Sequence, residues 1–325
     1  MALTYAELES ITRDYFKADS KKAVDIYFNT SFWLDYFMNK KKGLWERPNG
    51  GQNIRVPLEY DGQEGGFFTR TSVLSSNDRQ SINSARFGWK HVYGNATVYL
   101  TDELENAGEY AEVQMVTQRI AGAQKTATKK LAQNVYNAAG DSSELLTGLL
   151  SLCNETTTTA YGNIQEADLA SADGTTPWEG KCTATVEGVS LAVIRTLATY
   201  AKISDGPGGK PDIGTTTEAL FNIISGILQV QQRFTSDTDT AKAGFTNLVF
   251  EGKVLAADDY CPTGYLFLCN SKYVGFGIHT QGYFVRTPWG DLLVTGVAAK
   301  SMKIFWHGNM ICTNRKAHAA HSNLS

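Results

Sequence analysis

The apolar positions of this chain fall into three patterns. In the first, Ile54, Val56, Leu58 and Tyr60 share one face with Arg55 and Glu59 on the other, the two-residue period of a strand buried on one side. Pro57 has no N–H to give a neighbour, which puts that strand at a sheet edge. Asp61-Gly62-Gln63-Glu64-Gly65-Gly66 is turn chemistry and Phe67 to Leu74 is a second β-rich run, so the two runs predict a long hairpin. After a polar stretch from Ser75 to Ser84, Ala85, Phe87 and Trp89 alternate, and Val98-Tyr99-Leu100 re-enters the body.

The second pattern is helical. Leu104, Ala107, Ala111, Val116, Ile120, Ala127, Leu131, Val135 and Ala138 recur on roughly one stripe, behind a start at Thr101-Asp102-Glu103 and ahead of a stop at Gly140. Such a helix is about 55 Å long at 1.5 Å per residue, enough to act as a backbone for the whole subunit. The stripe is mostly alanine and lacks sustained heptads with charged flanks, which argues against a coiled coil.

The third pattern mixes short elements over residues 141–295. Val189, Val193, Leu197 and Ala201 predict one helix, and Leu220, Ile223, Ile224, Ile227 and Leu228, started by Thr217-Glu218, predict another. Ser204 to Gly214, rich in Gly and Pro, reads as the loop between them. Leu248-Val249-Phe250, a turn at Glu251-Gly252 and Val254 to Ala257 read as a hairpin, and Tyr265 to Cys269 as a buried strand. Strand character returns at Leu292 to Thr295, Met302 to Trp306 and Met310 to Thr313, before a polar, frayed tail from His318 to Ser325.

Ahead of these elements Tyr27, Phe28, Phe32, Trp33, Tyr36 and Phe37 form a dense aromatic cluster, closed by Lys40-Lys41-Lys42-Gly43 and Pro48-Asn49-Gly50-Gly51. Residues 1–50 read as an arm whose aromatics need a surface from the rest of the chain or from a neighbour.

Composition narrows the classes. With 325 residues, 42% hydrophobic and 19% charged, the chain buries a substantial core, is not disordered and has room for about two domains. Thirty basic against 33 acidic residues leave a net charge of -3, so there is no basic footprint for gripping a phosphate backbone. The first nine residues carry two acids and neither a basic leader nor an apolar run, so no secretion signal is expected. Nothing approaches the roughly 18 apolar residues of a membrane span, and a soluble protein made in a cytoplasm is the expectation. Five widely spaced cysteines without a C-x-x-C read as small buried hydrophobes rather than a disulfide framework or zinc knuckle.

Candidate chemistry is sparse. Gly206-Pro207-Gly208-Gly209-Lys210 invites comparison with a phosphate-binding loop, but Ser204 stands at the first glycine position and Pro211 at the Ser/Thr position, so it reads as a plain loop. His318 and His321, without an acidic or Cys partner nearby, read as part of a solvated tail. Asp258-Asp259 precede a turn at Pro262 and Gly264, where local hydrogen bonding outweighs paired-carboxylate chemistry. His91, His279 and His307 stand alone, which favours packing or a surface role over general base work. Lys125, Lys129 and Lys130 read as a solvated helix face. No G-x-S-x-G or H-E-x-x-H occurs, so neither a catalytic site nor a cofactor or metal site is expected.

Local sequences and the order of elements carry a resemblance. Phe87-Gly88-Trp89-Lys90 leading through Val98 to Leu104, Tyr161-Gly162-Asn163-Ile164 with Trp178, the run from Gly244 to Gly252 with Asp258, Cys261-Pro262, Gly264 and Asn270, and Trp306-His307-Gly308-Asn309 with Asn314-Arg315 follow one another in order. Together they resemble the major capsid protein of tailed bacteriophages, the shell fold named after phage Hong Kong 97. The resemblance implies an α+β fold with an N-terminal arm (1–50), an extended β-hairpin loop (51–96), a peripheral domain with a spine helix (97–140 and 296–325) and a mixed α/β axial domain (141–295). It implies a structural, non-enzymatic protein that assembles in the host cytoplasm into pentamers and hexamers of an icosahedral or prolate head, located in the virion, enclosing double-stranded DNA that it contacts non-specifically. Because only about 50 residues precede the hairpin, a separate scaffolding protein is expected, beside a portal and cement proteins.

The residues expected at contacts between subunits are Tyr27, Phe28, Phe32, Trp33, Tyr36 and Phe37 of the arm and Gly62, Gly65, Gly66, Phe67 and Phe68 of the hairpin tip. On that reading, deleting residues 1–40 leaves a soluble fold that assembles poorly. The alternatives are a nanocompartment shell like the encapsulins, enclosing protein cargo, an enzyme with its substrate domain at 141–295, and a passive binding or adhesion module.

Overall fold

The structure, a computed structural model, describes residues 31–39, 43–74, 79–105, 109–140, 143–154, 160–169, 176–204, 206–230, 247–293 and 296–325. The arm before Ser31, with Tyr27 and Phe28, lies outside the described residues, as do Ala107 of the helical stripe and Gly244-Phe245-Thr246 of the resemblance.

The described strands form two six-stranded sheets and one two-stranded sheet. The first six-stranded sheet is organised around β13 (Ala299–Cys312), to which β4 (Lys90–Tyr99) pairs antiparallel over ten residues. The other edge of β13 takes β10 (Val274–Ile278), β11 (Val285–Arg286) and β12 (Gly290–Asp291), and β1 (Leu44–Glu46) lies parallel to β10. The two return runs predicted at Met302 to Trp306 and Met310 to Thr313 are therefore one strand, kept continuous by neighbours on both edges.

A short helix α1 (Leu100–Glu105) and the long helix α2 (Glu109–Val135) cross this sheet. The predicted stripe holds where it is described: Val116, Ile120, Ala127, Leu131 and Val135 are buried. Helix α2 stops at Val135, about 40 Å from its start, and Ala138 lies beyond it. Thr101 sits inside α1 rather than capping it, and Asp102 pairs with Arg119 at 3.2 Å. Helix and sheet are in backbone contact: a Cβ on Gly94 would lie 2.1 Å from the Ala123 carbonyl oxygen.

The second six-stranded sheet runs in the order β5 (Cys182–Thr183), β14 (Ala319–His321), β9 (Leu266–Cys269), β6 (Ile213–Thr216), β8 (Lys253–Ala257), β7 (Asn247–Phe250). Helices α3 (Leu191–Tyr200) and α4 (Glu218–Val230) form where predicted and pack on it, with Leu191, Ile194, Leu197, Leu220, Phe221, Ile224 and Leu228 in its core, while Val189 precedes α3 and Ile223 of the predicted stripe is exposed. The Ser190 hydroxyl caps α3 by accepting from the Val193 N–H. The β7–β8 hairpin turns at Glu251-Gly252, both with positive φ, as expected.

Two expectations fail here. Strand β6, predicted as loop up to Gly214, lies inside the sheet; all four residues are buried, and a Cβ on Gly214 would meet Leu255 and Leu268 side chains at 2.4 and 2.8 Å. The tail is not frayed: β14 pairs with β9 and β5, and His318, His321 and Leu324 are buried. Burial pushes the His318 imidazole down to about 3, so this side chain is a neutral core group that accepts a hydrogen bond from the Asn270 N–H. The two larger sheets draw on distant parts of the sequence, β14 joining the sheet of residues 182–269 while β1 and β10 join that of β4 and β13.

Buried polar knots lock these layers together. Arg315 is fully buried, pairs with Glu166 at 3.0 Å and donates to the carbonyls of Ser151, Leu152, Asn154 and Trp178. Every guanidinium donor is thereby used, which is what makes a buried charge tolerable. Asn309 donates to the Gly88 carbonyl and the Thr147 hydroxyl and accepts from the Thr147 N–H, joining β13 to the hairpin exit and to the segment after α2.

Candidate functional site

The hairpin pairs β2 (Asn53–Glu59) with β3 (Ile82–Gly88), not with residues 67–74. The alternation predicted for β2 holds: Ile54, Val56 and Leu58 are buried and Arg55, Pro57 and Glu59 are exposed. On β3, Ala85 and Phe87 point inward, and Phe87 meets Tyr161 edge-on at 5.4 Å. The Arg86 N–H donates to the Gly162 carbonyl in a turn where Gly162 and Asn163 both have positive φ, so the base of the hairpin is seated on the body. Among the described residues strand β2 has no partner on its second edge, consistent with Pro57.

Beyond the base the connection leaves the body. The legs stay joined through Tyr60 N–H to Ser81 and through reciprocal Gln63–Arg79 hydrogen bonds. At the tip, Phe67 is 111% and Phe68 69% exposed, and Val73 and Leu74 are exposed beside them. Large aromatics on a projecting tip hold apolar surface in water that the chain itself does not cover. A Cβ on Gly62, Gly65 or Gly66 would meet open space, and none has a left-handed φ, so nothing within one chain requires glycine there.

The arm aromatics behave in the opposite way, which corrects the expectation for three of them. Phe32, Trp33 and Phe37 are at most 1% exposed and belong to the chain's own largest core, and Tyr36 packs half-buried against it. Phe32, Trp33 and Phe37 are spent internally and present no surface to a neighbour. Residues 32–39 form a helical turn that widens into a π-type turn, stacking Trp33 on Phe37 at 5.1 Å and setting Phe37 edge-on to Phe276 at 5.5 Å.

Hydrogen bonds fix this wedge. Trp33 Nε1 donates to Thr215 Oγ1 at 3.1 Å, and the Ser31 hydroxyl and Phe32 N–H both donate to Asp258 Oδ2 at 3.1 Å. Asp258 Oδ1 accepts from the Tyr260 N–H, the local turn hydrogen bond expected of it. Burial pushes the Asp258 carboxyl above its ordinary value despite these donors, and burial followed by the Asp258 charge pushes the nearby Tyr136 phenol up as well.

Other candidates resolve plainly. The Gly206–Gly209 segment is a short turn whose Gly208 carbonyl, with that of Lys210, takes the Asn270 side-chain amide, in keeping with a structural loop. Among the described residues no disulfide forms, and four of the five cysteines are buried; burial pushes Cys312 up to about 12. Among the described residues no three His, Cys, Asp or Glu side chains are arranged to hold a metal ion, and no helix is long and apolar enough to cross a membrane. His91, His279 and His307, which stand alone in sequence, come together: His307 lies opposite His91 on paired strands, and the His279 N–H donates to the His307 carbonyl. Only the strand pairing reveals this cluster.

No protein-family model matches the chain, and no curated protein is similar to it in sequence. Solved structures are similar in fold. The capsid asymmetric unit of cyanophage A-1(L) matches with a TM-score of 0.65 at 14% identity, covering 87% of this chain and 91% of that one. The capsid of a native GTA particle matches at 0.58 with 9% identity over 88% and 89% of the two chains. The holo-SrpI encapsulin complex from Synechococcus elongatus matches at 0.53 with 9% identity over 88% and 87%. The chain thus has the α+β shell fold of the Hong Kong 97 type.

Proposed function

We propose that this chain is a shell subunit, the major capsid protein of a tailed-phage head, whose copies close into pentamers and hexamers around double-stranded DNA. One observation carries the reading: a hairpin seated firmly at its base projects a tip whose Phe67 and Phe68 are bare in the single chain. Covering each such ring on a neighbour contributes about 1.5–3 kcal/mol, a modest contact repeated at every position of a lattice. Closed shells favour that distribution, because weak single contacts let misplaced subunits leave while the completed lattice holds. A net charge of -3 agrees with a wall that contacts packed DNA without sequence preference. The division into extended loop (51–96), peripheral domain (97–140 and 296–325) and axial domain (141–295), the separate scaffolding protein, portal and cement proteins, assembly in the host cytoplasm and location in the virion belong to the same proposal.

Negative-stain microscopy of the expressed chain, with its scaffolding protein where needed, tests it. Closed particles or capsomers are expected, and changing Phe67 and Phe68 together to Ser leaves small species only. Persistent monomers of the unaltered chain under assembly conditions overturn the reading. A second reading, a nanocompartment shell around protein cargo, is favoured by the likeness to the encapsulin complex. The contents of purified particles separate the two: nuclease-protected DNA supports the head, and a co-purifying protein with no nucleic acid supports the compartment.

A further inference from the structure

His91 and His307 are brought ring to ring by strand pairing, with their Nδ1 atoms 2.6 Å apart and ring centroids 4.7 Å apart. A hydrogen bond between two ring nitrogens needs one proton between them: one Nδ1 donates, the other must offer its lone pair. A first extra proton can go to the donor ring's far nitrogen and leave the bond intact. A second proton puts N–H groups on both facing nitrogens and breaks it.

His279 completes the cluster. It shares a cavity of about 400 Å³ with His91, His307, Trp89, Gln281 and the Gly50-Gly51 segment. Among the described residues no carboxylate lines that cavity. On its other side His91 borders a cleft to which β4 brings Lys90, α2 brings Lys130 and the 143–146 segment brings Glu144, the one carboxylate among the described residues of either lining. Arg47, which leads into the Gly50-Gly51 segment, lies over the Tyr283 ring. Positive charge added to the cluster therefore meets little compensation. Burial first, then His91 and His279, hold the His307 imidazole below its ordinary value.

The cluster lies at the root of the hairpin. Trp89, next after β3, rests on the His279 ring at 5.4 Å and donates Nε1–H to the Gly51 carbonyl, two residues before β2, at 2.8 Å. The Thr280 N–H donates to the Pro48 carbonyl, fastening the same entry segment. We propose that His91, His279 and His307 form a proton-operated latch, closed while the facing pair shares one proton and released when a second arrives, freeing the hairpin root from the sheet of β13. The latch is a property of the single chain and is independent of what a shell of such chains encloses.

The sign follows from linkage. A histidine depressed in the folded state contributes fully above the ordinary imidazole value near 6.5, and its contribution is lost as pH falls through the folded value. Hydrogen exchange followed by mass spectrometry on the purified full chain, at about pH 7.5 and pH 5.0 with correction for the intrinsic rate, tests the latch. Peptides covering residues 47–60 and 82–96 are expected to open at least about threefold more at the lower pH, with β6, β8 and β9 unchanged. The double variant His91→Gln, His307→Gln is expected to lose that rise. An acid-insensitive root, or the same rise in the variant, overturns the proposal. If the variant does not fold, NMR titration of the native histidines decides: two separated steps for His91 and His307 support the latch, and independent titration at the ordinary value overturns it.

Discussion

Two aromatic segments of this chain look alike in sequence and end in opposite environments. Phe32, Trp33 and Phe37 vanish into the core, while Phe67 and Phe68 project on a tip without cover. Spacing and partners separate them. The first set recurs at one-turn steps on a helical segment, so its rings fall on one side, where Thr215 and Asp258 wait with hydrogen-bond acceptors. The second is a consecutive pair behind Gly65-Gly66, with no helical or strand period to gather it on one face and no body within reach. Aromatic density alone therefore says that surface must be buried, and periodicity says whether the chain can bury it itself.

The largest effect expected from this comparison is on truncation. Deleting residues 1–40 removes Phe32, Trp33, Leu34, Phe37 and Met38 from the core. At about 2–5 kcal/mol for each large buried side chain, the loss matches or exceeds a typical total stability of about 5–15 kcal/mol. The truncated chain should show no cooperative unfolding transition in denaturant, contrary to an arm that only serves assembly; a normal transition would return the wedge to the arm. Next in size, Trp33→Ala should cost about 3–5 kcal/mol, whereas Phe67→Ala with Phe68→Ala should leave the unfolding midpoint within about 0.5 kcal/mol of the original. Equal costs in both variants would erase the distinction.

Much of the architecture was legible wherever local period and burial agree: the alternation of β2, the stripe of α2, the apolar faces of α3 and α4, and the Glu251-Gly252 turn. Legibility failed where polar residues go inside. Strand β6 is missed because the Gly- and Pro-rich run ending at Gly214 reads as loop and Thr215 and Thr216 add no apolar period, yet one hydroxyl serves Trp33 and the other donates to the Tyr265 carbonyl. The tail reads as frayed because histidines and Ser322 suggest water, yet His318 is kept neutral and Ser322 bonds to Thr183 in the neighbouring strand. At the candidate site, the exposed pair was visible as apolar residues beside glycines. The return strand was visible only in its second half, where Ala85 and Phe87 alternate, because Asn83 and Ser84 before them read as part of a polar stretch, and the histidine cluster joins positions that only the register of β4, β13 and β10 brings together.

Asp258 sharpens the comparison at its anchor. Asp258→Ala removes acceptors from the Ser31 hydroxyl and the Phe32 and Tyr260 N–H groups, and should cost about 2–4 kcal/mol by denaturant unfolding while leaving the exposed tip unaffected.

The smallest effect is a pH dependence with an unusual sign. Burial raises the folded carboxyl of Asp258, while an unfolded aspartate titrates near 3.9, so the folded state holds this proton more tightly. The contribution is full below the unfolded value and is lost as pH rises through the folded one, opposite to a carboxylate held by an ion pair. Comparing unfolding free energies of the unaltered chain and Asp258→Asn between about pH 7 and pH 4.5 isolates the effect, because every other titrating group is common to both. The unaltered chain should gain on the variant as the solution is acidified. A relative loss would mean that the three donors around the carboxylate outweigh its burial, and that the wedge is held by a charge instead of despite one.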